Sequence, residues 1–144
     1  MTRKSRGGLF TFFDRRTAER LLGADLPKSA RDVRFLHWQP SGDLAYHEAL
    51  IRFVASIEDY RAFVQARGLT PFSISGPNVH LPVDWSPPPE IDTPDWWQPS
   101  PETPPDAASG RVGMYGSIIM KWENGRVYVL IVDTGHRSPA GPGP

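Results

Sequence analysis

The chain has no cysteine. Disulfides, thiol nucleophiles and Cys-ligated zinc are therefore excluded together, and a cytoplasmic location is expected. It has no apolar run near the roughly 20 residues of a membrane-spanning helix. It has no net charge, because 16 Lys and Arg balance 16 Asp and Glu. Nothing in that balance favours nucleic acid or an anionic membrane as a partner. Nucleophile elbows of the G-x-S-x-G kind, Walker A loops and G-x-G-x-x-G fingerprints do not occur. At 144 residues the chain makes one domain with a normal core.

One absence is local. From Pro82 to Asp106 there is no Lys or Arg, while nine prolines, three of the five tryptophans and six carboxylates crowd in. Such a segment cannot be a core helix or strand. Yet Trp85, Trp96 and Trp97 are costly to leave in water. The segment is thus either a lid on its own domain or a docking surface. Residues 1–31 have the opposite bias, with eight Lys and Arg against three acids. Two solvated surfaces, an intramolecular contact screened by salt, or a charged partner would each accommodate this.

Periodicity predicts α-β-β-α-β-β. A short helix spans residues 14–22, capped by Asp14 and ended by Gly23. Strands 32–38 and 44–55 form a hairpin around Ser41-Gly42-Asp43, setting Trp38 against Tyr46, His37 against His47 and Asp32 near Arg52. That register gathers Val33, Phe35, Ala49, Ile51 and Phe53 on one face. A second helix, residues 56–67, is capped by Ser56 and stopped by Gly68, with Ile57, Tyr60, Phe63 and Val64 inward. No regular element is expected over residues 69–109, a stretch too long for an ordinary loop. Pro87-Pro88-Pro89 should be polyproline II. Residues 111–133 form a hairpin about Asn124-Gly125, the strongest two-residue turn signal. One of its faces is wholly apolar (Ile118, Met120, Trp122, Val127, Val129, Ile131) and the other mixed (Ser117, Ile119, Lys121, Tyr128, Leu130, Val132).

The expected fold is α+β: a four-stranded antiparallel sheet from two hairpins, with two helices on one face. Residues 1–13 would be a basic, Phe-bearing arm, 14–135 the domain with a Pro-rich acidic insertion over 70–110, and 136–144 a disordered tail. The other sheet face would then expose Leu36, Trp38, Tyr46, Leu50, Ile119, Tyr128, Leu130 and Val132. That exceeds a normal exposed apolar patch, and the Pro/Trp segment is long enough to cover it.

Chemistry-bearing patterns are thin. Ile131-Val132-Asp133-Thr134-Gly135 matches the aspartic-protease signature, but only 11 residues follow Asp133, so a strand turning at Gly135 is expected instead. His37 and His47 would offer two metal ligands, and a catalytic zinc needs a third. His80, His136, Asp133 or Glu48 has no spacing that marks it out, and no metal or cofactor is expected. Gly113-Met114-Tyr115-Gly116 precedes a strand, so it cannot cradle phosphate at a helix N-terminus. Phe10, Phe12 and Phe13 beside basic residues mimic an RNA-binding arm, against which the zero net charge stands. Pro101-Glu102-Thr103-Pro104 is a weak P-x-x-P string.

Leu26-Pro27, Ser29-Ala30, Val33 opening a strand, Arg52-Phe53 closing another, the Trp96-Trp97 pair and Tyr128 in a final strand form a pattern. In it the chain resembles a loose family of uncharacterised bacterial α+β proteins. The resemblance spans roughly residues 15–133 and implies a bacterial source and an α+β fold, with no activity or site residue attached. Some relatives of that kind sit in lipoprotein or envelope contexts; this chain has no lipobox cysteine.

The expected function is a non-catalytic protein-binding or interaction domain of the immunity or inhibitor type, with no nucleic-acid or membrane-spanning role. Its surface would use Trp38, Tyr46, Trp85, Trp96 and Trp97 as anchors, with Asp92 and Asp95 as a polar rim. The alternatives are a small enzyme or metal-binding protein using His37, His47 and a carboxylate, and a homodimer formed through the uncovered sheet face.

Overall fold

The computed structural model describes residues 3–6, 11–39, 48–71, 84–112 and 116–133, and these described residues form two helices and seven strands. They are β1 (Arg3–Arg6), α1 (Thr11–Leu22), β2 (Arg31–Gln39), β3 (Glu48–Val54), α2 (Ile57–Arg67), β4 (Thr70–Pro71), β5 (Ala108–Val112), β6 (Gly116–Glu123) and β7 (Arg126–Asp133). All the strands join one antiparallel sheet in the order β1-β2-β3-β7-β6-β5-β4. The α+β class holds, but four strands understate the sheet. The two expected hairpins do merge, through β3 against β7. Three further strands extend the edges.

The β6–β7 turn follows from its two residues. Asn124 and Gly125 have φ of 52° and 83°, the left-handed conformation that a type I′ turn requires at both positions. Glu123 therefore pairs with Arg126. Helix α2 is equally local in origin. The Ser56 hydroxyl accepts from the Asp59 amide at 3.1 Å, and Gly68 closes the helix at φ 77°. Helix α1 ends at Gly23, φ 72°. It begins at Thr11, however, so Asp14 lies inside its first turn, buried, and does not cap it.

The β2–β3 register differs from expectation by two residues. Phe35 pairs with Ile51, His37 with Ala49 and Trp38 with Glu48. An even slip keeps every side chain on its expected face, so the apolar sets survive while the partners change. The cause is polar: the Trp38 indole donates to the buried Glu48 carboxylate at 3.0 Å. Tyr46 and His47, the expected partners of Trp38 and His37, lie outside the described residues. So do the 40–43 turn, His80, Gly113-Met114-Tyr115, Thr134-Gly135, His136 and the 136–144 tail.

Two cores result. Val33, Phe35, Ile51, Phe53, Ile118, Met120, Val127 and Val129 pack under both helices, with Ala18 and Leu22 of α1 and Tyr60, Phe63 and Val64 of α2. On the opposite face Leu36, Trp38, Leu50, Tyr128 and Leu130 pack with Ile91 and Trp97 from the Pro/Trp segment. Helix α1 and the acidic segment thus lie on opposite faces of the sheet, so the contact their charges suggest does not involve α1. Nor do residues 3–6 form a free arm, since Arg3–Arg6 pairs with β2 as an edge strand. The insertion is closed at its base by β4 against β5, where Thr70 faces Ser109. Arg111, expected to open the final hairpin, belongs to β5 and faces Ser117. Gly110 gives Leu69 room, because a Cβ there would run into the end of the Leu69 side chain and force it to shift.

Candidate binding surface

Residues 84–107 form a strap across the second sheet face. It has no helix or strand, yet it follows a repeated local rule. The Ile91 amide donates to Pro88 O, Trp97 to Pro94 O and Ala107 to Pro104 O, each at 3.0 Å. Proline fixes its own φ and leaves its carbonyl free to accept the turn bond. The fourth residue of each turn is then driven inward, and Ile91, Trp97 and Ala107 are all buried. The same device occurs before β2, where Ala30 donates to Pro27 O at 2.9 Å and is also buried. The turn at Pro89-Glu90 interrupts the triple-proline run expected to be polyproline II.

Beneath the strap, four residues stand in register across four strands. Arg34 pairs with Arg52, Arg52 with Tyr128, and Tyr128 with Lys121. Their side chains share the second face, and the strap runs along this row. Arg52 Nη1 donates to the Trp96 carbonyl at 3.2 Å. The Trp97 ring meets Tyr128 edge-on at 5.2 Å. Lys121 Nζ donates to Ser100 O at 2.8 Å and Glu102 O at 2.7 Å, and lies 4.9 Å from the Trp85 ring centroid. Carbonyls that proline-rich chain cannot pair in a ladder are thus satisfied by sheet cations.

The two adjacent arginines would repel. Asp32 resolves this. It donates no hydrogen bond but accepts from Arg34 Nε at 3.1 Å and from Arg52 Nη2 at 2.5 Å. A bulge between Arg31 and Arg34 and a φ of 51° place it there. Arg52 is buried, and its Nε has no hydrogen-bond partner. At the other end Glu123 accepts from Lys121 at 2.9 Å and from the Ser100 amide at 3.0 Å. Burial pushes its carboxyl up, but the bonds from Ser100 and Lys121 and the Lys121 charge outweigh that and hold it below the usual carboxylate range.

Where the expected surface residues fall is now clear. Trp38, Trp85 and Trp97 are buried, with their indole N–H groups committed to Glu48, Thr103 and the Trp85 carbonyl. They anchor the fold, and a ring below 5 % exposure has little area left for a partner. Trp96 is half-buried, while Asp92 and Asp95 are exposed. Asp84, Glu90 and Glu102 are exposed beside them. The P-x-x-P string is tied down through Glu102 O and Thr103. His37 faces Ser5 and Ala49 across its two neighbouring strands, so the expected His37–His47 pairing is not formed by that register. Among the described residues, no three His, Asp or Glu side chains gather as a metal site, and no helix is long and apolar enough to cross a membrane. The sheet face that homodimerisation would need is occupied by the strap.

Lys121 was visible in the sequence only as a polar interruption of a mixed strand face, whereas Arg52 was expected near Asp32, and that pair is formed. The signal was their alignment, a cation on a face that otherwise seeks cover. Neither a family model, a curated protein nor a solved structure matches the chain.

Proposed function

We propose that the chain is a non-catalytic bacterial protein-binding domain of the immunity or inhibitor type, and that the outer side of the strap is its docking face. Trp96 is the aromatic anchor and Asp92 and Asp95 its polar rim, addressing a basic surface on another protein. The observation that carries this reading is the division of labour within one segment. Trp85 and Trp97 point inward and fix the strap, whereas Trp96 packs at the edge of the second core and keeps part of its surface open, in a segment with carboxylates and no cation. A strap pinned by Arg52 at Trp96 and by Lys121 at Ser100 and Glu102 is preorganised, so little ordering entropy is lost on docking. Exposed like charges then steer a basic partner and set its orientation. The buried cation Lys121 is not free to act as a nucleophile or base, since Ser100, Glu102 and Glu123 take its three N–H donors.

The test is co-purification from the cells of origin using the wild type, Trp96→Ala, and the charge-reversed Asp92→Lys/Asp95→Lys. A basic protein retained by the wild type and lost with either variant, each still folded with a cooperative melt, is expected. Retention by both variants would sink the reading.

A further inference from the structure

A groove of about 480 Å³ lies between α2, β4 and the last proline turn of the strap, a volume within the range of small-molecule sites. Its two banks are fixed by separate devices. On the α2 side, Gly68 at φ 77° takes the chain out of the helix, and the Leu69 amide donates back to Val64 O at 3.0 Å. This helix-closing motif sets Leu69 beside Val64, and both line the groove with Pro71. On the other side, Pro105 and Asp106 are the central residues of the Pro104–Ala107 turn. The Tyr60 hydroxyl donates to Asp106 O at 2.6 Å and so ties that turn to α2. Both banks are therefore in place before any ligand arrives, which spares the cost of ordering them.

The polar groups of the lining are few and of both signs. Arg61 Nη2 and Asp106 Oδ2 stand 3.9 Å apart, an ion pair too long for a hydrogen bond. Among the described residues, the Arg61 guanidinium makes no hydrogen bond, nor does the side-chain amide of Gln65, one turn further along α2. The Tyr60 proton is spent on the turn, which leaves its oxygen able only to accept. A ligand with a single charge would pair with Arg61 or Asp106 and be opposed by the other. A wholly apolar ligand would use neither. A carboxylate and an ammonium on one carbon match both groups, and an apolar substituent on that carbon matches the prolines and the Val64–Leu69 pair.

We infer that the groove binds a free apolar amino acid, with its carboxylate on Arg61 and Gln65, its ammonium on Asp106 and its side chain against Pro71 and Pro105. The site uses none of Trp96, Asp92 and Asp95. It goes beyond the docking reading and stands or falls without it.

The full chain would be titrated at neutral pH with L-phenylalanine, hydrocinnamate, phenethylammonium and benzyl alcohol, following the methyl signals of Val64 and Leu69 by NMR. Saturable shifts with phenylalanine are expected in the millimolar range. Each singly charged analogue should bind about two- to five-fold more weakly, the worth of one exposed ion pair, and benzyl alcohol more weakly still. Asp106→Asn keeps the backbone carbonyl that Tyr60 holds, and should erase the advantage of phenylalanine over hydrocinnamate. Arg61→Gln should erase its advantage over phenethylammonium. No saturation by phenylalanine, equal binding of all four probes, or an advantage that survives both substitutions overturns the inference.

Discussion

The Lys121 ammonium, wholly buried, donates to the backbone carbonyl of Glu102 at 2.7 Å. It is the central pin of a strap that has no ladder of its own. Replacing it by methionine would keep the apolar stem but leave two carbonyls and the Glu123 carboxylate without their donor. Losing one partner of a buried, paired charge costs several kcal/mol, and we expect about 3 kcal/mol here because Glu123 keeps some solvent. Urea unfolding of Lys121→Met measures it. A loss below about 1 kcal/mol, within the range of ordinary surface changes, would mean the tryptophans alone hold the strap.

The same pin makes stability depend on acid. The folded Glu123 carboxyl lies below its unfolded value, so the folded chain binds the proton less readily. Its contribution is therefore complete above the ordinary carboxylate pKa and is lost as pH falls through the folded value. Glu123→Gln should be less stable than the wild type at neutral pH and should show a flatter decline in acid. Urea midpoints taken from neutral pH into acid would reveal this, and parallel curves for the two proteins would contradict it. Tyr60 behaves oppositely. Burial, and then the Asp106 charge, raise its phenol, so its contribution is present below an ordinary phenol pKa and fades in strong alkali.

Asp32 separates charge from backbone strain. It sits at φ 51°, a region that Asp and Asn enter far more readily than other side-chain-bearing residues. Asp32→Asn should keep the bulge and lose the charge that sits between Arg34 and Arg52, costing about 2 kcal/mol. Asp32→Ala should lose both, adding about 1 kcal/mol of left-handed strain. Denaturant melts that rank the two equally would assign the whole cost to the ion pairs.

How much of this was legible follows from period and parity. A strand's two faces are separated by single-residue alternation, so both cores could be read from Val33, Phe35 and Ile51 on one side and Leu36, Leu50 and Leu130 on the other. Parity is blind to a two-residue slip, and so Trp38 was assigned Tyr46 rather than Glu48. Strand β1 was missed because Arg3–Arg6 is polar, as suits a protected edge strand. Strands β4 and β5 were missed because Pro71 and Gly110 read as breakers. The strap itself was hidden in composition. Its order comes from proline carbonyls three residues before Ile91, Trp97 and Ala107, a spacing that stands in the sequence but belongs to neither helix nor strand. Asp32 on a bulge, and the row from Arg34 to Lys121, needed the true register.

Trp96 and Trp97 are neighbours with opposite assignments, which makes them the sharpest comparison. Trp97 is buried against Tyr128 and donates to the Trp85 carbonyl. Truncating it to alanine removes a core aromatic and leaves that carbonyl unpaired, a loss of about 3–5 kcal/mol. Trp96 is half-buried, meets Trp97 edge-on at 6.3 Å, and presents its carbonyl rather than its ring to Arg52. Alanine keeps that carbonyl, so Trp96→Ala should cost only about 1 kcal/mol, the partial loss of one side chain's burial. Thermal melts and urea midpoints of the two variants give the difference directly. If Trp96→Ala is as damaging as Trp97→Ala, both rings belong to the core and the strap has no aromatic anchor to offer a partner.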